Sequence, residues 1–233
     1  RSIWVTGVQT CALPICDMSK RMNPRGEQLR RALAQEAARI MAEQGIDDYG
    51  LAKRKAAQRL GATDIAVLPK NTEIEAALAE HQRLFEADTH SSVLEAARRT
   101  ALQAMRLLQQ FQPRLVGPVL SGTASAHSEV NLHLFADGAE AVALHLMENS
   151  IPHEIAQRRL RYEPDRLVAY PVVRFVAGNR EIDAVVFPVD GIRQSPASPV
   201  DGRPMRRADK AEVETLLAED AAPLRGEALA TRR

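Results

Sequence analysis

Cysteine is almost missing from this chain. Cys11 and Cys16 are the only two among 233 residues, and both sit in the first sixteen. From Asp17 onward there is no disulfide, no thiolate metal site and no cysteine nucleophile, a composition that fits a reducing cytoplasm. Aromatic residues make up only 4% of the chain, so alanine and leucine must do most of the filling of the core. No apolar run approaches the ~18 residues of a membrane-spanning helix, and no membrane partner is expected. Neither sign of charge is in excess: 31 basic side chains against 30 acidic ones leave +1. Three motifs are also absent: the phosphate loop G-x-x-x-x-G-K-[ST], the dinucleotide fingerprint G-x-G-x-x-G, and the G-x-S-x-G elbow of serine hydrolases.

The front of the chain stands apart. "VTGVQTCALPI" (Val5 to Ile15) follows the only tryptophan, Trp4. A signal peptide would need a basic start and an unbroken apolar stretch. Here Arg1 is the sole charge before Asp17, and Thr6, Gln9 and Thr10 interrupt the run. The string resembles the in-frame translation of a sequencing-library adapter. Residues 1–17 are therefore set aside from the fold, and Met18 is the expected start.

Residues 18–112 read as a helical region. "EQLRRALAQEAARIMAEQG" puts Leu29, Leu33, Ala37, Ile40 and Met41 on one stripe and stops at Gly45. In "DYGLAKRKAAQRLG", Tyr49, Ala52, Ala56 and Leu60 point inward, with Gly61 as the stop. "TEIEAALAEHQRLF" opens with Thr72 and Glu75 at capping-box spacing and presents Ile74, Leu78, His81 and Phe85. "SVLEAARRTALQAMRLLQQF" repeats the box in Ser92 and Glu95, with Leu94, Ala97, Ala101, Met105 and Leu108 inward. From Met18 to Gly61 there are ten basic and five acidic residues. Lys53, Arg54, Lys55 and Arg59 make a short basic stripe that could contact nucleic-acid phosphates, although a solvated helix face is the commoner use of such a stripe.

After Pro113 the period changes. "RLVGPVLSG" and "EVNLHLF" read as short strands, and "GAEAVALHLMENS" as a helix capped by Asp137 with Glu140 three residues on. "HEIAQRRLRYE", "RLVAYPVVRFVAG" and "REIDAVVFP" are three more strands, the last two joined by a Gly178-Asn179 hairpin turn. Residues 193–233 form an extended tail rich in proline and arginine, with a short helix near Ala211 to Asp220. Side chains alternate along a strand, so Glu129, Asn131 and His133 share one face while Val130, Leu132 and Leu134 share the other.

In "VLSGTASAHSEVNLHLF" and "REIDAVVF" the chain resembles the nucleotidyltransferase superfamily, the polymerase-beta-like fold. That family has a strand ending in Gly-Ser, a short helix, a strand with Asp-x-Asp, and a third carboxylate on a later strand. The resemblance matches Gly122 and Thr123 to the phosphate-approaching Gly-Ser, Glu129 and Asn131 to the two acids, and Asp183 to the third. It implies an α+β fold, with the helices packed on a small mixed sheet at residues 113–192. It also implies Mg²⁺ held by Glu129, Asn131 and Asp183, with Glu129 and Asp183 as catalytic acids. Asn131 is neutral where the family has an acid, so the expectation is a catalytically degenerate member that binds a nucleotide or nucleic acid. An active Mg²⁺-dependent transferase is the second reading. A helical interaction module with a scaffold sheet is the third. Residues 28–111 and "GTASAHSEVNLHLFAD" are also similar to proteobacterial proteins of like length, a likeness that brings no role.

His127 and His133 flank this segment. His133 lies four residues beyond Glu129, about 13 Å along a strand and too far for one shared ion, so both are expected to be half-exposed histidines. Arg158, Arg161, Arg206 and Arg207 would form an anion-binding surface if they converge.

Overall fold

The computed structural model describes residues 24–46, 48–62, 67–85, 87–163 and 165–220. The adapter-like segment and the expected start at Met18 lie outside them.

Three helices come first: α1 (Pro24–Gln44), α2 (Tyr49–Leu60) and α3 (Asn71–Phe85). They share a core of their own, in which Leu33, Ala37 and Ile40 meet Ala52, Ala56, Ile74 and Leu78. Alanine at the contact lets the α1 and α2 backbones approach closely. Asp48 caps α2 by accepting the Leu51 amide at 3.0 Å, and Gly61 ends it in the left-handed region. The inward stripe of α2 stops at Ala56; Leu60 is exposed. In α3 the buried stripe is Ile74, Leu78 and Gln82, not the expected His81 and Phe85, and Phe85 is 75% exposed. The cap of α3 is also displaced. Glu73, rather than Glu75, reaches back to the backbone, accepting the Lys70 amide at 2.6 Å. That leaves Glu75 free for other contacts.

Helix α4 (Ala87–Leu107) belongs to a second core. Ser92 and Glu95 lie inside it rather than at its start. The Ser92 hydroxyl donates to the Thr89 carbonyl at 2.8 Å, and Glu95 pairs with Arg99. The expected inward stripe holds: Leu94, Ala97, Ala101 and Met105 are buried against the sheet.

A 3₁₀ turn at Gln109–Phe111 leads to β1 (Arg114–Val116), a one-turn helix α5 (Pro118–Ser121), β2 (Val130–Phe135) and α6 (Ala139–Glu148). Three longer strands follow: β3 (His153–Glu163), β4 (Arg166–Ala177) and β5 (Arg180–Phe187). A second 3₁₀ turn (Val189–Arg193) and α7 (Lys210–Asp220) complete the described chain. The five strands form one mixed sheet in the order β1-β2-β5-β4-β3; β2 and β5 are parallel and the other pairs antiparallel. The protein is therefore α+β. Helix α6 starts at Gly138 without a side-chain cap, so Asp137 does not play the expected part.

The sheet's two faces differ. One carries Leu115, Val130, Leu132, Leu134, Val173, Ile182 and Val186, and it packs against α4, α6 and α7. The other carries polar groups and a small cluster of Phe135, Val172, Val185 and Phe187. The proline- and arginine-rich segment crosses above this second face. Ala197 donates its amide to the Arg161 carbonyl on β3, Pro199 accepts from Asn71 on α3, and Ala208 pairs with Leu115 on β1. The expected irregular tail is thus a strap tied at both edges of the sheet.

Candidate functional site

Asn131, Asp183, Arg174 and Glu154 are register partners across β2, β5, β4 and β3. One row of the polar face therefore reads amide, acid, base, acid. Asp183 is 0% exposed, and a carboxylate taken out of water costs several kcal/mol unless it is paired and hydrogen-bonded. Here Oδ1 accepts from Arg174 Nε at 2.8 Å and Oδ2 accepts from Arg158 Nη2. Arg158 reaches in from β3. Its Nη1 donates to Asn131 Oδ1 at 2.9 Å, and its Nη2 lies 4.0 Å from Glu129 Oε2.

Glu129, Asn131 and Asp183 thus do meet at one place, as the resemblance implies. The group at their centre is a guanidinium. Asp183 beside it makes Arg174 still harder to deprotonate. Burial pushes the Glu129 carboxyl above its ordinary range, and the charges of Asp183 and Glu181 push the same way. A divalent cation here would have to displace Arg158 and endure Arg174. Asn131 also gives its only oxygen to Arg158. These residues do not fit Mg²⁺, and among the described residues no cluster of three His, Cys, Asp or Glu side chains is arranged to hold a metal ion.

The turn that aims this row differs from the expected one. The strand before it ends at Val116, not Ser121, and the next residue is Gly117 (φ 74°, ψ −155°), a conformation open essentially to glycine alone. The one-turn helix therefore precedes Gly122. Gly122 (φ 88°) closes that helix, and a Cβ there would face Leu94 and Arg98 of α4 at 3.9 Å. It is half-buried, its amide donates to the Pro118 carbonyl at 2.9 Å, and it is not among the residues that line the cleft described below. Gly117 sits against Asn131 instead; a Cβ there would lie 3.5–3.6 Å from its side chain. Thr123 does face the site, and its hydroxyl donates to Glu75 Oε1 at 3.2 Å. Arg180 clamps the turn before Glu129, donating to the Ser128 carbonyl at 3.0 Å.

Between this sheet face, the helical bundle and the strap lies a cleft of about 860 Å³. Glu75, Leu78 and Gln82 line it from α3, Gly117, Ser121 and Thr123 from the turn, and Glu129, Asn131 and His133 from the sheet. Of the four arginines that could converge, Arg158, Arg161 and Arg206 line this cleft. Arg207 turns beneath it. The Arg207 guanidinium packs over Phe135 and Phe187, and its Nε donates to His133 Nδ1 at 3.0 Å. His133 is therefore not half-exposed. It is 2% exposed, and burial, with Arg207 beside it, lowers its pKa to about 3. His127 is exposed rather than half-exposed.

The basic stripe on α2 does not form a patch. Arg59 pairs with Glu36 at 2.8 Å and Lys55 donates to Gln44 at 2.8 Å, both back onto α1. Lys53 is partly buried, which lowers its pKa, and it sits near Glu73 and Arg30. Arg54 is exposed.

Arg174 and Gln82 carry no expectation from the sequence, and Glu75 carries one only as a helix cap. Arg174 was within reach of a simple count. A two-residue turn at Gly178-Asn179 pairs Ala177 with Arg180, and three steps back it pairs Arg174 with Asp183. Glu75, half-buried, and Gln82, buried, lie on the face of α3 that carries Leu78; the capping-box spacing assigns Glu75 to the helix start instead. No protein-family model matches the chain, and no curated protein matches it.

Proposed function

We propose that the cleft binds a nucleotide through its phosphates, and that the protein is a nucleotidyltransferase-like binder whose acidic row no longer serves phosphoryl chemistry. The observation that carries this reading is Asp183: both of its oxygens are held by arginines, at the position where the resemblance implies a metal ligand. Transfer of a nucleotidyl group needs cations that bridge the phosphates and bear the charge of in-line displacement. A salt-bridged aspartate beside a neutral Asn131 supplies no such site. What remains is a cleft whose size falls within the ordinary range for small-molecule sites, with Arg161 on its wall beside Arg158, which Asp183 holds, and Arg206, which pairs with Glu212. Guanidinium groups match phosphate oxygens in geometry as well as charge.

Calorimetric titration with ATP and CTP tests this. Binding is expected for at least one nucleotide, weakened tenfold or more by Arg161→Ala with Arg206→Ala, since two charge-assisted contacts are worth about 1.5–3 kcal/mol each. Transfer of label from the α-phosphate to RNA or protein is expected to be absent. Failure of both nucleotides to bind at millimolar concentration would end the reading. Label transfer that Asp183→Ala abolishes would replace it with the active-transferase reading.

A further inference from the structure

The cleft is electrically two-ended. The arginines lie at the sheet and strap. At the helical wall, Glu75 presents a half-buried carboxylate that has no ion pair among the described residues. Its neighbours are hydroxyls: Tyr49 donates to Oε2, Thr123 to Oε1 at 3.2 Å, and Ser121 to Oε1 at 3.5 Å. Two helical turns on, Gln82 lines the same cleft and is 2% exposed. Its Nε2 donates to the Thr123 carbonyl at 3.0 Å, while Oε1 has no hydrogen-bond partner among the described residues. A buried amide oxygen left without a donor costs about 1–3 kcal/mol. The helical end thus holds a carboxylate without a cation and an acceptor without a donor.

We propose that this end is a second subsite, built by Glu75 and Gln82, for a protonated amine. The full ligand then carries phosphate at the arginine end and an ammonium group at the Glu75 end. The assignment of phosphate to the arginines rests on the nucleotide-binding reading; the amine subsite is a separate claim. An ammonium group is all donor and brings the positive charge that the Glu75 carboxylate lacks, whereas a hydroxyl brings one proton and no charge. The hydroxyls of Tyr49, Ser121 and Thr123 hold the carboxylate in place without neutralising it.

The test is calorimetry on the full chain with two probe series, ω-aminoalkyl phosphates and n-alkyl phosphates, from ethyl to octyl. At the chain length that spans the cleft, the amine is expected to bind about tenfold more tightly than its alkyl partner. Glu75→Gln should abolish that difference while leaving the alkyl phosphates unchanged. Tyr49→Phe, which strips one hydroxyl from the carboxylate, should widen it, and this variant decides the matter if Glu75→Gln melts early. Equal binding of the two series at every length overturns the subsite, as does a preference that survives Glu75→Gln or shrinks in Tyr49→Phe. ATP binding without any amine preference overturns the subsite alone. Amine-phosphate binding without ATP binding overturns the nucleotide reading alone, and binding of neither series overturns both.

Discussion

Asp183 cannot turn to water, so the two arginines that hold it decide its worth. Removing the carboxylate strands two guanidinium groups on one sheet face. Breaking a fully buried pair costs about 3–5 kcal/mol; because Arg158 and Arg174 are about a third exposed, Asp183→Ala should cost roughly 2–3 kcal/mol after allowance for solvent screening. Urea unfolding reads this directly, and a loss below about 0.5 kcal/mol, the level of a surface change, would mean the pairing is ornamental. His133 offers a second residue-scale test. Its folded pKa of about 3 lies below the ordinary 6.5. Between those values the unfolded chain takes up a proton that the folded chain refuses, so stability is full above pH 6.5 and falls as the pH drops. The slope is at most about 1.4 kcal/mol per pH unit. In His133→Asn, whose side-chain oxygen can still accept from Arg207, that part of the slope should vanish. An unchanged acid profile would contradict a buried neutral ring. The alternation of Glu129, Asn131 and His133 was legible in the sequence. The burial of His133 was not, because it depends on Arg207, 74 residues away in an irregular strap.

At the scale of elements, the helices and long strands follow from period and punctuation. The inward residues of α1 and α4, the three strands from His153 to Phe187 and the Gly178-Asn179 turn all lie where the sequence puts them. The departures are local and have local causes. "RLVGPVLSG" looks like one strand because its apolar residues are continuous. Gly117 breaks it by adopting a backbone that no other residue favours, and Pro118 then starts a helical turn. Gly117→Ala should therefore cost about 1–3 kcal/mol and, by tilting α5, loosen the contacts of Ser121 and Thr123 with Glu75. Thermal melts of the variant check the first effect, and backbone amide exchange at 117–123 the second. An alanine tolerated without change would mean that the turn does not fix the cleft floor. The pairing of β3 with β4 was beyond reach for another reason: the register shifts between Arg161 and Glu163, and one slipped residue changes which arginine faces Asp183.

The whole molecule is two cores and a strap enclosing a charged cleft. The helical bundle supplies a wall whose one acid among the described residues is Glu75, the sheet a wall with Arg158 and Arg161 beside Glu129, and residues 194–209 tie β3, α3 and β1 together. No single segment contains this arrangement. Glu129, Asn131 and Asp183, from "SEVNLHLF" and "REIDAVVF", lie together around Arg158. Their spacing gives no hint of Arg158, whose long side chain crosses β4 to reach them. That crossing separates a metal-loaded site from one closed by its own cation, and it makes metal dependence the sharpest question. Titrating the protein with ATP in magnesium and again in EDTA answers it. Affinity should be equal or greater in EDTA, since free phosphate oxygens pair better with arginine than magnesium-shielded ones. Binding that appears only with magnesium would contradict the account, because Arg158 would then have to leave Asp183 to make room for the ion.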